Sequence, residues 1–199
     1  MSRFDNRSVD TFKKDIKFST LLEKFFFEEW INSCTYSNNI VISNPRNNGV
    51  DNSGDFIEKG STSGADYMID IEYNGFNQKD LPIEIKWVPT YGKLTLKNGD
   101  LKAYLREDAA ILFIYTGEKV KENLKKPKDY NLTEHINLIQ SISDKLRWSI
   151  MLPEQVKGFY RYAESNNMIK PIPYMGNKPG VILHQQDFSK WFKEEKWNH

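Results

Sequence analysis

The chain has 199 residues, of which 39% are hydrophobic and 14% aromatic, and this composition excludes a polypeptide that is disordered throughout. Its 28 basic and 27 acidic residues leave a net charge of +1, so overall charge gives no argument for nucleic-acid binding. A single cysteine, Cys34, excludes an internal disulfide and a cysteine-rich zinc site, and it indicates a reducing cytosol. No apolar run approaches about 18 residues and the N-terminus has no apolar segment, so neither a transmembrane helix nor a secretory signal is expected.

The first half of the chain predicts one helix followed by three strands. Residues 18–33 carry apolar side chains at helical spacing, and residues 39–43 form a short strand candidate. Residues 44–64 are rich in Asn, Ser and Gly, which predicts a long exposed loop. The alternating segment 66–73 and the segment 81–88 read as two strands of an antiparallel hairpin with a seven-residue connection.

The middle of the chain combines an ambiguous segment with a buried strand. Within residues 91–105, Asn98-Gly99 favours a hairpin, whereas Asp100 could equally cap a short helix. Residues 109–115 are almost continuously apolar, as expected of a strand that is buried on both faces.

The last third of the chain predicts mainly helices. Residues 133–151 and 153–166 are expected to be helical, and residues 181–183 to add one strand. Asp187 is expected to open an amphipathic C-terminal helix. The whole order predicts an α/β sandwich with a central mixed sheet.

Acidic and basic side chains converge in the predicted hairpin. Glu84 and Lys86 lie two residues apart on an otherwise apolar strand, so both side chains share one face. If the two strands pair, Asp66 approaches Glu84 at the open end of the hairpin. Two converging carboxylates repel each other, and a divalent cation relieves that repulsion. Oxygen ligands of this kind suit Mg²⁺ or Mn²⁺ rather than zinc.

At these residues the sequence resembles the PD-(D/E)xK nuclease superfamily. Gly64-Ala65-Asp66 matches the first acidic motif, although Ala65 replaces the usual proline, and Glu84-Ile85-Lys86 matches the second motif 18 residues later. The resemblance extends over roughly residues 18–116. It implies a restriction-endonuclease-like αβα sandwich, in which a helix and three antiparallel strands precede a second helix and a parallel strand.

The resemblance also implies the roles of the site residues. Asp66, Glu84 and the carbonyl group of Ile85 would be metal ligands, and Lys86 would stand beside the attacking water. Many members add a glutamate from the first helix. The helical wheel slightly favours Glu29, whereas the family spacing, with apolar residues three and seven positions later, favours Glu23.

Sequence context decides between alternative residues for each position of this site. An acid two residues before a lysine occurs four times, at Asp15, Glu84, Asp100 and Glu194, but only Glu84 lies on an apolar strand preceded by a Gly-x-Asp segment. Asp70 is the rival for the first acid, and Asp66 is preferred because it follows a glycine at a strand start. Glu28 is the remaining helix glutamate, and Glu23 is chosen over both alternatives.

Local basic patches are the candidate contacts with nucleic acid. Lysines follow the proposed catalytic strand, and a second cluster falls within residues 119–128; either group could be a phosphate-binding rim or a solvated surface. Trp87 and Tyr91 could stack on bases or pack in the core. The residues chosen as nucleic-acid contacts are Lys93, Lys97, Lys102, Lys125 and Lys126.

The sequence therefore predicts a Mg²⁺- or Mn²⁺-dependent DNA endonuclease of restriction or phage type. Residues 1–199 would form one nuclease domain, with residues 117–199 as a helical extension. Cutting both strands with one site per chain implies a homodimer, and the expected location is the cytoplasm, that of the host if a phage encodes the protein. A viral-type RNA endonuclease is the nearest alternative, although no histidine precedes His135. A non-catalytic nucleic-acid-binding or assembly protein is another.

Overall fold

The computed structural model describes residues 9–35, 40–48, 64–89, 91–125, 129 and 131–197. The helices are α1 (Val9–Thr35), α2 (Asn98–Glu107), α3 (Leu132–Gln140) and α4 (Pro153–Ser165). The strands are β1 (Ile40–Asn47), β2 (Tyr67–Tyr73), β3 (Phe76–Val88), β4 (Lys93–Lys97), β5 (Ala110–Thr116), β6 (Leu146–Met151), β7 (Lys170–Ile172), β8 (Lys178–His184) and β9 (Lys193–Lys196). The described elements form an α/β fold around a central mixed sheet.

Within the described residues, six strands form the central sheet in the order β1-β2-β3-β5-β6-β9, and β4, β8 and β7 form a second sheet. All neighbours in the central sheet are antiparallel except β3 and β5. That parallel pair requires a crossover, which β4 and α2 provide. The predicted buried strand is confirmed, because every residue of β5 is buried.

The β2–β3 hairpin is tighter than predicted. Asn74 and Gly75 form a two-residue turn with φ angles of 49° and 84°, the left-handed conformations that a tight hairpin turn requires. The antiparallel pairing is confirmed, but the seven-residue connection is wrong because β3 already begins at Phe76. Residues 77–80 are polar and show no apolar alternation, yet they continue the strand because the tight turn pairs them with β2.

The core consists of two hydrophobic clusters, one on each face of the central sheet. α1 and α3 pack on one face and α2, α4 and the second sheet on the other. Successive residues of β5 alternate between the two clusters, as the pleat of a strand requires. Ile83 and Ile85 of β3 belong to the α1 cluster, which leaves Glu84 on the side of α2.

Two predicted helices in the last third of the chain differ from the structure. The helix expected over 133–151 ends at Gln140, and its second half is β6, which pairs with β5. The C-terminal helix expected from Asp187 is instead a 3-10 turn followed by β9 at the sheet edge. Among the described residues of 117–199, α3 and α4 are the α-helices, and the other elements are short 3-10 helices and the strands β6 to β9.

Other predicted elements are confirmed or extended. The helix over 18–33 lies within α1, and the helix over 153–166 is α4. The ambiguous segment 91–105 contains both a strand, β4, and a helix, α2, and the helix begins after Lys97 rather than at a side-chain cap by Asp100. Of the expected loop over 44–64, residues 44–47 continue β1, and residues 49–63 lie outside the described residues. No described helix combines the length and the apolar character needed to cross a bilayer.

Candidate active site

The pairing of β2 and β3 brings Asp66 to Glu84. Tyr67, the first residue of β2, pairs with Ile83 of β3. Asp66, which directly precedes β2, therefore lies opposite Glu84, which follows Ile83. The backbone N–H of Ile85 donates a hydrogen bond to Oδ2 of Asp66 at 3.1 Å. The proximity that the sequence predicted for the two carboxylates is present at the open end of the hairpin.

Glu84 is the most constrained carboxylate of the site. It is 6% exposed, and its Oε1 accepts hydrogen bonds from the ammonium group of Lys86 and, at 2.8 Å, from the hydroxyl group of Tyr104. Nζ of Lys86 also lies 5.8 Å from the centre of the Tyr104 ring. A buried carboxylate needs such partners, because it is otherwise strongly destabilised away from water.

The long helix α1 contributes Glu23 to the same location. The Glu23 carboxyl is close enough to Asp66, Glu84 and Lys86 for their charges to act on it. Glu28 is exposed instead and lies 3.7 Å from Lys24 one turn earlier. The structure therefore places the chosen helix glutamate within electrostatic range of the hairpin residues.

Two carboxyl groups of the site, those of Glu23 and Asp66, hold protons more tightly than usual. Burial, followed by the charge of Asp66, raises the pKa of Glu23 from 4.5 to about 8, even though Lys86 lowers it. Burial, followed by the charge of Glu84, raises the pKa of Asp66 from 3.8 to about 7. Burial lowers the pKa of Lys86, but the charge of Glu84 and the other carboxylates outweighs it, and the pKa is raised well above its ordinary value. The site thus gathers negative charge that one ammonium group only partly offsets.

The rival acid Asp70 belongs to a different network. Its oxygens accept hydrogen bonds from the backbone N–H of Asp80 and from the side chain of Asn44, and the guanidinium group of Arg46 lies 3.6 Å away. These contacts, led by the Asp80 N–H, lower the pKa of Asp70. Asp70 therefore stabilises strand irregularities at the surface and is separate from the Glu84 cluster.

The donor chemistry of the cluster fits a hard divalent cation. Its candidate ligands are carboxylate oxygens of Asp66, Glu84 and Glu23, the groups that Mg²⁺ and Mn²⁺ prefer. A cation would relieve the mutual repulsion that raises the pKa of Asp66 and Glu23. Among the described residues, no three Asp, Glu, His or Cys side chains are positioned to share one ion as they stand, and Glu84 is paired with Lys86 instead.

Two residues that the sequence did not single out complete the site, and both come from α2. Tyr104 is 3% exposed and donates to Glu84. Glu107, one turn further along the same helix, accepts a hydrogen bond from the backbone N–H of Ala65 at 2.9 Å, which fixes the residue before Asp66. Tyr104 and Glu107 are three residues apart, so both lie on one face of α2. What that face contacts is shown only by the packing of α2 beside β3.

The predicted nucleic-acid contacts lie on several elements. Lys93 and Lys102 are exposed on β4 and α2, and Lys125 is exposed after β5. Lys97 lies 3.6 Å from Asp100. Lys126 lies outside the described residues. The four described lysines thus lie on three segments of the chain: β4, α2 and the segment after β5.

The two aromatic candidates for base stacking differ in their surroundings. The ring of Trp87 stacks on Phe26 with ring centres 4.4 Å apart, so Trp87 is a core aromatic residue. Tyr91 is 51% exposed. Only Tyr91 presents a ring to solvent.

Compared with models of protein families, with curated proteins and with solved structures, the chain matches none of them.

Proposed function

We propose that this chain is a metal-dependent endonuclease that hydrolyses phosphodiester bonds of DNA, on a restriction-endonuclease-like fold. The observation that carries the proposal is the convergence of Asp66, Glu84 and Lys86 in the β2–β3 hairpin, with the Glu23 carboxyl close enough for their charges to act on it. These residues come from α1, the start of β2 and the middle of β3, and they match the two acidic motifs and the added helix glutamate of the PD-(D/E)xK superfamily. A surface charge pair would require neither the burial of Glu84 nor a carboxylate from another element.

Each residue of the cluster has a role in this proposal. Asp66, Glu84 and the carbonyl group of Ile85 would hold Mg²⁺ or Mn²⁺, with Glu23 as a further oxygen donor. When bound, the cation supplies charge neutralisation at the phosphate and a water of lowered pKa. Lys86 orients the attacking water and stabilises the negative charge that develops on the phosphate. Hydrolysis then breaks one P–O bond and leaves a phosphate monoester and an alcohol.

The substrate and the assembly follow from the same proposal. One site per chain cuts one strand, so double-strand cleavage would require a homodimer. The buried position of Cys34, the single cysteine, accords with a reducing cytoplasm. Exposed lysines such as Lys93, Lys102 and Lys125 would contact phosphates, because the net charge of +1 provides no general attraction.

The first experiment is a plasmid-nicking assay in four conditions: Mg²⁺, Mn²⁺, Ca²⁺ and EDTA. We expect conversion of supercoiled to nicked or linear DNA with Mg²⁺ or Mn²⁺, and none with EDTA. Ca²⁺ should support binding without turnover, because it is larger and activates water less well. Cleavage that persists in EDTA would contradict a metal-dependent mechanism.

The second experiment assigns the cleavage to the cluster. Asp66→Ala, Glu84→Ala and Lys86→Ala should each lower the cleavage rate by at least roughly 10²-fold, the effect of removing one transition-state contact. Asp70→Ala is the matched control, because it removes a carboxylate from the same strand but outside the cluster. Full activity of Glu84→Ala, or equal losses in the control, would contradict the assignment.

A further inference from the structure

An open groove follows the strand that carries Glu84 and Lys86, and none of its lining residues belongs to the proposed active site. Its volume is about 410 Å³, which is in the range of pockets that hold small ligands. Pro89 and Tyr91, from the connection between β3 and β4, line one side. The other side is formed by the segment that follows β5 and includes Lys119, Glu122 and Lys125.

The groove occupies the edge where the two parallel strands end. β3 and β5 run side by side up to the pair Val88 and Tyr115. The lining residues begin with Pro89 after β3 and with Lys119, three residues after the end of β5. Pro89 is three residues beyond Lys86, a distance of roughly 10 Å along an extended strand. That spacing corresponds to about three base steps of a DNA strand, so a strand cleaved at Glu84 and Lys86 reaches the groove within a few nucleotides.

The basic side of the groove is anchored to the core. Leu124 is 2% exposed and belongs to the hydrophobic cluster beneath α1. The buried side chain of His135, from α3, lies beside the backbone of Leu124. Near the start of the segment, the backbone N–H of Gly117 donates to the carbonyl group of Lys145 at 2.8 Å. The exposed lysines therefore project from a fixed wall.

The lining combines an exposed aromatic ring with positive charge. Tyr91 is 51% exposed, and Lys119 and Lys125 are both exposed. Neither lysine takes part in an ion pair within the described part of the chain. Glu122 is the single acidic residue of the lining, so the formal charge of the lining is positive.

We propose that this groove binds a short unpaired stretch of the substrate strand, with a base stacked on Tyr91 and phosphates at Lys119 and Lys125. An aromatic side chain stacks on a base face, which is hidden in a duplex and accessible in a single strand. The inference rests on the proposed function for the identity of the polymer, and it adds that the substrate has single-stranded character next to the cut.

The test is a fluorescence-anisotropy titration with a labelled oligothymidine of about 12 nucleotides, within the usual range of single-strand site sizes. The wild-type chain and the variants are titrated in EDTA and again in Ca²⁺, so that binding is measured without cleavage. Tyr91→Ala should weaken binding roughly 5- to 150-fold, the range for loss of one base–aromatic stack. Tyr91→Phe should bind like wild type. Tyr174→Ala, which removes another exposed tyrosine outside the groove, should also leave affinity unchanged.

The lysines are tested by salt dependence. The double variant of Lys119→Ala and Lys125→Ala should reduce the slope of log affinity against log salt by about 1.4, or about 0.7 for each phosphate that is no longer neutralised. The double variant of Lys170→Ala and Lys178→Ala makes the same charge change on β7 and β8 and should keep the wild-type slope. Equal slopes for the two double variants would overturn the proposed binding of phosphates by Lys119 and Lys125.

The experiments distinguish failure of the proposed groove binding from failure of the proposed endonuclease function. Failure of the wild-type chain to bind the oligonucleotide, or wild-type affinity in Tyr91→Ala, overturns the groove even if plasmid nicking depends on Glu84. Conversely, normal groove binding in a chain that never nicks a plasmid overturns the proposed endonuclease and leaves the groove as a single-strand binding site.

Discussion

At the scale of single residues, the proposed site concentrates carboxylates that repel one another. Glu23, Asp66 and Glu84 converge from three segments of the chain, and Lys86 is the one cation among them. The raised pKa values of Glu23 and Asp66 follow from burial first and from neighbouring charge second. Such a cluster costs folding free energy at neutral pH, and groups of this kind concentrate at functional sites.

The metal-free protein should therefore lose stability as pH rises. Glu23 and Asp66 keep their protons in the folded chain up to about pH 8 and 7, but release them near pH 4.5 and 3.8 when unfolded. Because the folded state then binds more protons, the free energy of unfolding falls between those limits. Each unit of pKa difference corresponds to roughly 1.4 kcal/mol.

Thermal unfolding in EDTA from pH 5 to pH 9 measures this loss. Glu23→Gln should flatten the decline in Tm, because its side chain no longer ionises, and Glu28→Gln should keep the wild-type profile. Parallel profiles for wild type and Glu23→Gln would show that Glu23 ionises as freely in the folded chain as in the unfolded one.

Tyr104 should act as a positioning residue for Glu84. Burial raises the pKa of its hydroxyl group well above the ordinary value, so it remains a hydrogen-bond donor at neutral pH. Tyr104→Phe removes that donor with little change in volume and should lower cleavage roughly 10- to 100-fold, the worth of a hydrogen bond to a charged group. The Mg²⁺ concentration for half-maximal activity should also rise.

The matched control is Tyr160→Phe, which removes a hydrogen bond to Glu164 on α4. Its cleavage rate and its Mg²⁺ dependence should equal those of wild type. Identical kinetics in both tyrosine variants would show that Glu84 needs no support from α2.

The part of the candidate site that lies on the paired strands β2 and β3 could be predicted from the sequence. The parity of Glu84 and Lys86 and the pairing of two adjacent strands are enough to bring Asp66 to Glu84. The helical wheel alone favoured Glu29 over Glu23, because it describes the helix but not which side of it faces the hairpin. Tyr104 could not be predicted, since its contact depends on how α2 packs after the crossover.

At the scale of secondary-structure elements, the Asp70 carboxylate stabilises two irregular strand pairings, that of β2 with β1 and that of β2 with β3. The register of β2 shifts relative to β1 near Asn44 and relative to β3 near Asp80. Both residues have positive φ angles, 50° and 51°, and both donate hydrogen bonds to the Asp70 carboxylate. One side chain thus satisfies the polar groups of two bulges.

Asp70→Ala should lower the Tm while leaving metal-dependent cleavage intact. The loss follows from the unpaired Asp80 N–H and from the Asn44 side chain, and not from the active site. Glu72→Ala removes an exposed carboxylate two residues along the same strand and should have little effect on Tm. Loss of cleavage in folded Asp70→Ala would instead make Asp70 the first acid of the motif.

Local patterns predicted the elements whose neighbours lie close in sequence. The periodicity of α1, the alternation in β2 and the apolar run of β5 each specify their own structure. The segment that forms β6 continues a helical pattern from α3, and its conversion to a strand comes from pairing with β5. β9 is similar, because the edge of the sheet beside β6 determines its conformation rather than local amphipathicity.

At the scale of the whole molecule, the central sheet separates two hydrophobic cores, and elements on both of its faces contribute residues to the cluster. α1 packs on one face and supplies Glu23, whereas α2 packs on the other and supplies Tyr104. β3 is common to both and supplies Glu84 and Lys86. The chain length predicted one domain and the order of predicted elements an α/β sandwich, but neither predicted that the last third of the chain extends the same sheet.

The most direct test of the proposed site compares two glutamates on α1 in the plasmid-nicking assay with Mg²⁺. Glu23 and Glu28 lie on one helix, and either change to Gln removes one negative charge, but only Glu23 faces the hairpin cluster. We predict that Glu28→Gln cuts at the wild-type rate and that Glu23→Gln loses at least roughly 10²-fold while keeping its circular dichroism spectrum. Equal cleavage by the two variants, or no Mg²⁺-dependent cleavage by the wild-type chain, would contradict the proposed site.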